Sequence, residues 1–163
     1  MTPVDLERIV GIENTPISIV PFKSYFFKIM NLIESDVEVI KQFESYFALI
    51  DDGRNNGCAC TAIDSGKPVL CFGLEFQWEG VAIAWLIPDR AMVKKHKFKF
   101  HKGALKYFDI AAKHYNLHRI EVAVNVRNSY ADKWITSIGF EYEGTLRKYG
   151  VDKADHKIYS RLF

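Results

Sequence analysis

The chain has 163 residues, 48% hydrophobic and 26% charged, with a formal net charge of +2. That size and balance fit one globular domain with a core of its own and exclude a disordered or fibrous chain. No apolar run approaches the roughly 20 residues of a membrane helix, and the first seven residues lack the basic and apolar regions of a signal peptide. Three cysteines, Cys58, Cys60 and Cys71, stand in strand-like sequence. An odd count without a signal argues for reduced thiols in a cytoplasm. Cys58 and Cys60 share a strand face, a metal half-site in principle. Buried strand cysteines are the better reading, and no metal is expected, because no zinc spacing accompanies them.

Residues 1–16 are polar and broken by Pro3 and Pro16, which reads as a loosely attached leader to one domain over 17–163. A first strand opens at Ile17. Phe26, Ile29, Met30 and Ile33 fall at helical spacing over residues 24–34. A second helix is expected from Ser35, where Ser35 and Glu38 form a capping-box pattern, and the turn cluster from Asp51 to Gly57 ends it. Strands over 58–63 and 68–76 flank the turn Asp64-Ser65-Gly66-Lys67, a hairpin signal. The run from Val81 to Ile87 is apolar throughout, as a strand buried on both faces would be. A long helix is expected over 99–115, with a strand over 118–124 after it. A short helix then runs from Asn128 to Gly139, followed by a strand and a final strand within 151–163. A mixed sheet of about seven strands with helices on both faces, an α/β fold in the order β-α-α-β-β-β-α-β-α-β-β, buries all of these apolar stripes.

The stretch from Asn128 to Arg147 is the most specific. Ser129 and Asp132 form another capping-box pattern, Ala131, Trp134, Ile135 and Ile138 share one helical face, and Gly139 suits a left-handed helix end. The order Asn-x-x-Ala, hydrophobic pair, Gly-Phe-x-x-Glu-Gly resembles the GNAT superfamily of acetyl-CoA-dependent N-acyltransferases. Glu143-Gly144-Thr145-Leu146-Arg147, with Asp155 and Ile158-Tyr159-Ser160, looks most like the branch that acetylates ribosomal-protein N-termini. It also resembles small acetyltransferase-like proteins of bacteriophages. The order of elements matches the GNAT fold from residue 17 onward.

The resemblance implies acyl transfer from acetyl-CoA to an amine, on a protein or a small molecule. The fourth strand would part from the fifth beside Leu86 and Ile87, halted at Pro88, and its free backbone groups would bind pantetheine. The helix after it would take the pyrophosphate. The family's glycine-rich turn is absent there, and only Gly103 or Ala104 matches its last small residue. Lys94 to Lys106 form a dense lysine run instead. Lys97, Lys99 and Lys102 supplying phosphate contacts is one reading, and a solvated basic turn is the second. A nucleic-acid patch with Phe98 and Phe100 for stacking is the third, and the near-neutral net charge argues against it. Asn128 matches an asparagine that bonds the pantetheine arm, and is equally suited to capping a helix. Ile135 stands where many relatives carry a tyrosine acid. Glu75 and Glu79 are the base candidates, and Tyr142, with Tyr130 and Tyr149, lines the acceptor mouth; a solvent-facing carboxylate and edge-shielding rings are the bland alternatives. The rival to an enzyme is a GNAT-shaped bacteriophage protein without coenzyme chemistry, structural, virion-associated or host-interacting. Its partner would be a phage or host protein, in a virion or the host cytoplasm. A homodimer is open under either reading.

Overall fold

The computed structural model describes residues 1–12, 14–54 and 57–163. Its elements are α1 (Pro3–Val10), β1 (Ile17–Pro21), a 3-10 helix (Ser24–Ile29), α2 (Glu34–Gln42), α3 (Glu44–Asp51), β2 (Gly57–Asp64), β3 (Lys67–Trp78), β4 (Val81–Pro88), α4 (Arg90–His114), β5 (Arg119–Asn125), α5 (Ser129–Ser137), β6 (Glu141–Leu146) and β7 (His156–Leu162). The strands form one mixed sheet in the order β1-β2-β3-β4-β5-β7-β6, with β4 and β5 the parallel pair.

Alternate strand residues feed two cores. Leu70, Leu74, Ala82, Ala84, Ile120 and Val124 meet α1, α4 and α5 on one face. Cys71 and Ile87 meet Phe22, Phe26, Met30, Phe47 and Ile50 of the 3-10 helix and α3 region on the other. Cys60 and Cys71 are buried, and burial pushes both thiols up to about 12. They act as small apolar side chains.

Four local expectations differ from what the chain does. The segment read as a leader contains α1, whose Leu6 is buried in the main core. Pro3 starts that helix rather than breaking it, because the first helical position needs no N–H. Thr2 and Asp5 close a reciprocal cap across it. The helix expected over 24–34 is a short 3-10 turn, and Met30 is already extended. The next helix starts at Glu34 and breaks at Phe43, while the Ser35 hydroxyl is buried without a partner among the described residues instead of capping.

The largest difference is α4. It begins at Arg90, nine residues before the expected start at Lys99. The segment read as a basic turn holds no glycine or proline between Arg90 and Lys102 and is rich in good helix formers. Only Asp89 separates β4 from α4.

Candidate active site

Strand β4 pairs with β3 along its whole length, from Val81 opposite Trp78 to Pro88 opposite Leu70. Its other edge pairs with β5 only at Val81–Arg119, Ala82–Ile120 and Ile83–Glu121. Strand β5 meanwhile stays paired with β7 as far as Asn125. Residues 84–88 and 122–125 therefore open away from each other, and their facing backbone groups lack the ladder that a continuous sheet would give them. Such an opening suits an extended chain carrying amides, because backbone donors and acceptors need partners. Leu86 is 37% exposed beside it, and Ile87 turns into the second core.

On that second face Trp85 fixes the wall of the opening. Its ring packs against Phe22 and Phe47 at centroid distances of 5.3 and 5.1 Å, and its indole N–H donates to the Tyr46 hydroxyl at 3.3 Å. Burial pushes that hydroxyl up to about 12. The ring also lies across Gly73, where an added Cβ would sit 2.7 Å from ring atoms and 2.5 Å from the Cys58 carbonyl oxygen. Only glycine fits there.

Glu75, Ile83, Glu121 and Ser160 form one row across β3, β4, β5 and β7, so their side chains share this face. The half-buried Glu75 carboxyl is pushed above its ordinary value by burial, with a Gln77 hydrogen bond opposing. The other two carboxylates nearby are occupied. Arg119 donates to Glu121 at 2.5 Å and to both oxygens of Glu143, and the Ser160 hydroxyl donates to Glu143 at 2.5 Å. These bonds, Arg119 first, pull the Glu143 carboxyl down to about 2. Glu75 is the carboxylate of the row suited to taking a proton, since a raised value brings it nearer neutral pH.

The start of α4 has the opposite character. The Asp89 carboxylate is buried there and accepts the Asn31 amide at 2.6 Å. The Asp89 and Arg90 amides donate to the Val69 and Asn31 carbonyls at 2.8 and 3.0 Å. A second buried carboxylate, Asp36, lies close enough for Arg90 to lower it, although burial dominates and raises it to about 6. Negative charge thus already occupies the positive end of the helix dipole, and a residue-31 backbone covers it. The strand opening fits the pantetheine arm of a coenzyme A; at the helix terminus the buried Asp89 carboxylate opposes a diphosphate, with the Arg90 cation beside it at the first helical position.

The remaining residues singled out from sequence scatter. Lys99 and Lys102 line, with Lys106, a recess of about 380 Å³ against Val10–Ile12 at the end of α1, a recess that no residue of the strand opening lines. A Cβ added at Gly103 would meet the Val10 side chain at 3.6 Å, and Ala104 packs on the main core. Lys97 is exposed on α4 near the Phe98 ring. Asn128 caps α5, its side-chain oxygen accepting the Ala131 amide at 3.1 Å, so it takes the capping position read for Ser129. Asp132 instead receives Lys157 at 2.8 Å and the Tyr159 hydroxyl. Tyr142 pairs with Tyr159 on the face opposite Glu75, is 54% exposed, and bonds the Thr145 hydroxyl at 2.8 Å. Glu75 and Tyr142 are not brought together. The Trp85–Tyr46 contact and Asp89 escaped sequence reasoning. A lone Asp between a strand-ending proline and a run of helix formers was the available signal for Asp89.

Neither a protein-family model nor a curated protein sequence matches the chain. Solved structures do. Ribosomal-protein-S5-alanine acetyltransferase from Vibrio fischeri superposes with a TM-score of 0.65 at 17% identity, over 93% of this chain and 95% of the other. A GNAT-family acetyltransferase from Bacillus anthracis gives 0.65 at 18% over 91% and 95%. The microcin C7 self-immunity acetyltransferase, solved with acetyl-CoA and AMP, gives 0.67 at 16% over 92% and 94%. At these identities the likeness is one of fold, and it spans nearly the whole of each chain. The protein has the GNAT fold.

Proposed function

We propose that this protein is an acyl-CoA-dependent N-acyltransferase, and the parting of β4 from β5 after Ile83 is the observation that carries the reading. Acyl-CoA would supply a thioester carbonyl already activated for attack. The free backbone groups of 84–88 and 122–125 would hold its pantetheine arm as a strand holds a strand. Glu75, on the open face beside Ile83, would take the proton from the acceptor amine, directly or through a water. Glu75, Glu121 and Glu143, with Arg119 among them, leave that face net acidic, which favours a cationic acceptor such as a protein N-terminus, a lysine or a polyamine.

A second reading has a specific observation behind it. The buried Asp89 at the head of α4 opposes a diphosphate, as expected of a GNAT-shaped protein, bacteriophage-encoded or otherwise, that keeps the fold for binding a protein partner. Titration calorimetry with acetyl-CoA separates the two. The first reading expects saturable binding, with added stability of about 2.7 kcal/mol at 100 times the dissociation constant. Absence of binding and of any thermal shift supports the second.

A further inference from the structure

Seven cations, Arg90, Lys94, Lys95, Lys97, Lys99, Lys102 and Lys106, lie within residues 90–106 of α4, and no Asp or Glu occurs between Arg90 and Phe108. The whole chain has 22 basic and 20 acidic residues. Removing these seven leaves 15 against 20, a remainder of −5. The molecule is therefore strongly polar in charge although its net charge is small. The extension of α4 to Arg90 gives this segment a helical geometry.

At 100° per residue, His96, Phe100 and Tyr107 point inward. His96 and Tyr107 are buried, and the imidazole meets the buried Asp64 at 2.8 Å. The outward side carries two rows at i, i+3, i+7: Lys94, Lys97 and His101 on one flank, Lys99, Lys102 and Lys106 on the other. The rows stand about 140° apart around the axis. Between them runs an outward ridge of Ala91 and Phe98, the latter 74% exposed. All five lysines of the rows are exposed, and among the described residues Lys95 is the lysine here that is ion-paired, to Asp64 at 2.8 Å.

We infer that this face of α4 is a binding site for duplex DNA, the helix lying along the major groove with one lysine row on each phosphate backbone. The groove is about 12 Å wide, and a helix with its side chains is about 10–12 Å across. Two cation rows on either side of a narrow ridge match two strands. A single strand needs one row. An anionic membrane would need a broad apolar face, and among the described residues Phe98 is the one exposed large apolar side chain on the ridge, since Leu105 two turns on packs against the main core. A-form RNA has a major groove too narrow to admit the helix. This inference is independent of the acyl-transfer reading.

The test is fluorescence anisotropy of the full chain with a labelled DNA duplex of about two helical turns. The same strand alone, an RNA duplex and phosphatidylserine-containing vesicles are run in parallel. Duplex DNA is expected to bind best, with a dissociation constant of about 1–100 μM at physiological salt. Five lysines should give a log–log salt slope of about −4 to −5. The variants Lys94→Ala/Lys97→Ala and Lys99→Ala/Lys102→Ala each keep helix propensity, so both should fold, as unchanged circular dichroism would verify. Each should weaken duplex binding at least tenfold and flatten the slope by about two. Loss in only one of the two variants, a slope unchanged in both, no duplex binding at all, or equal or tighter binding to the single strand, RNA duplex or vesicles would each overturn the assignment.

Discussion

The Asp64 carboxylate at the end of β2 accepts the His96 ring nitrogen at 2.8 Å, tying the first turns of α4 to the β2–β3 hairpin. Lys95 and Ser65 share the same carboxylate at 2.8 and 3.0 Å. The Lys95 bond first, then that of His96, holds the Asp64 carboxyl far below its ordinary value. A carboxyl with a lowered folded value contributes stability above its unfolded value, about 3.9, and loses it as pH falls through that window to the folded value. Asp64→Asn should therefore lower the melting temperature at pH 7, and the difference from wild type should shrink below about pH 4. Thermal melts across pH check both the sign and the window.

Asp36 should behave in reverse. Burial raises its carboxyl to about 6, so the ionised form costs stability at neutral pH, and stability is regained as pH falls from about 6 towards the unfolded value. Asp36→Asn should stabilise by about 1–3 kcal/mol at pH 8 and have little effect below about pH 4. Denaturant melts at the two pH values measure the difference.

The end of α5 separates packing from backbone conformation. Ile138 is fully buried, so Ile138→Ala should cost about 2–5 kcal/mol through lost burial and a cavity. Trp134 is only partly buried against the same core, and Trp134→Ala should cost less than Ile138→Ala despite deleting more atoms. Gly139 has φ of 90°, where a β-branched residue is strained. Gly139→Val should destabilise by about 1–3 kcal/mol and Gly139→Asn by less. Chemical denaturation of the four variants gives the ranking.

The periodicity of α5 and the glycine after it make that region legible in the sequence alone. The strands were legible for the same reason, since alternation and turn residues are local signals. What escaped were choices made by distant partners. Leu6 makes α1 part of the core through contacts with α4 and β1, which no pattern in residues 1–16 announces. The start of α4 was lost because its lysines hide the inward His96–Phe100–Tyr107 line, whose anchor is Asp64, 32 residues earlier. The strand opening could be expected only through likeness to a family, because Val81 to Pro88 reads equally well as a fully paired strand. Glu75 lay in the row beside the opening, whereas Tyr142 fell on the other face because a register shift between Tyr142 and Gly144 governs β6.

Glu75→Gln tests the chemistry without disturbing the fold. Under the acyl-transfer reading the loss of a positioned base should reduce kcat/KM by about 10²–10⁴ and remove the acidic limb of its pH profile. Stability should move the other way. The Glu75 carboxyl is raised in the folded protein, so its ionised form is disfavoured there at neutral pH, and the amide should be neutral to slightly stabilising. Lost turnover with an unchanged or higher melting temperature supports the base role. Turnover retained in the variant assigns Glu75 to the solvent-facing wall alone.

Asp89→Asn addresses the misfit between the strand opening and the helix that follows it. The asparagine side-chain oxygen can still accept the Asn31 amide, now received at 2.6 Å by Asp89, so the junction should keep its shape. The substitution removes one negative charge from the positive end of α4, where an anion is worth about 0.3–1 kcal/mol. If the opening takes the pantetheine arm while the carboxylate repels the diphosphate, Asp89→Asn should tighten acetyl-CoA binding by about two- to fivefold. The gain should fade at high salt, because it is electrostatic. Dephospho-CoA should show a similar gain, since it keeps the diphosphate, whereas pantetheine, which has no phosphate, should show none. An equal gain for pantetheine would mean that the substitution reshaped the opening instead of relieving charge. Affinity unchanged for all three ligands would place the diphosphate away from the head of α4.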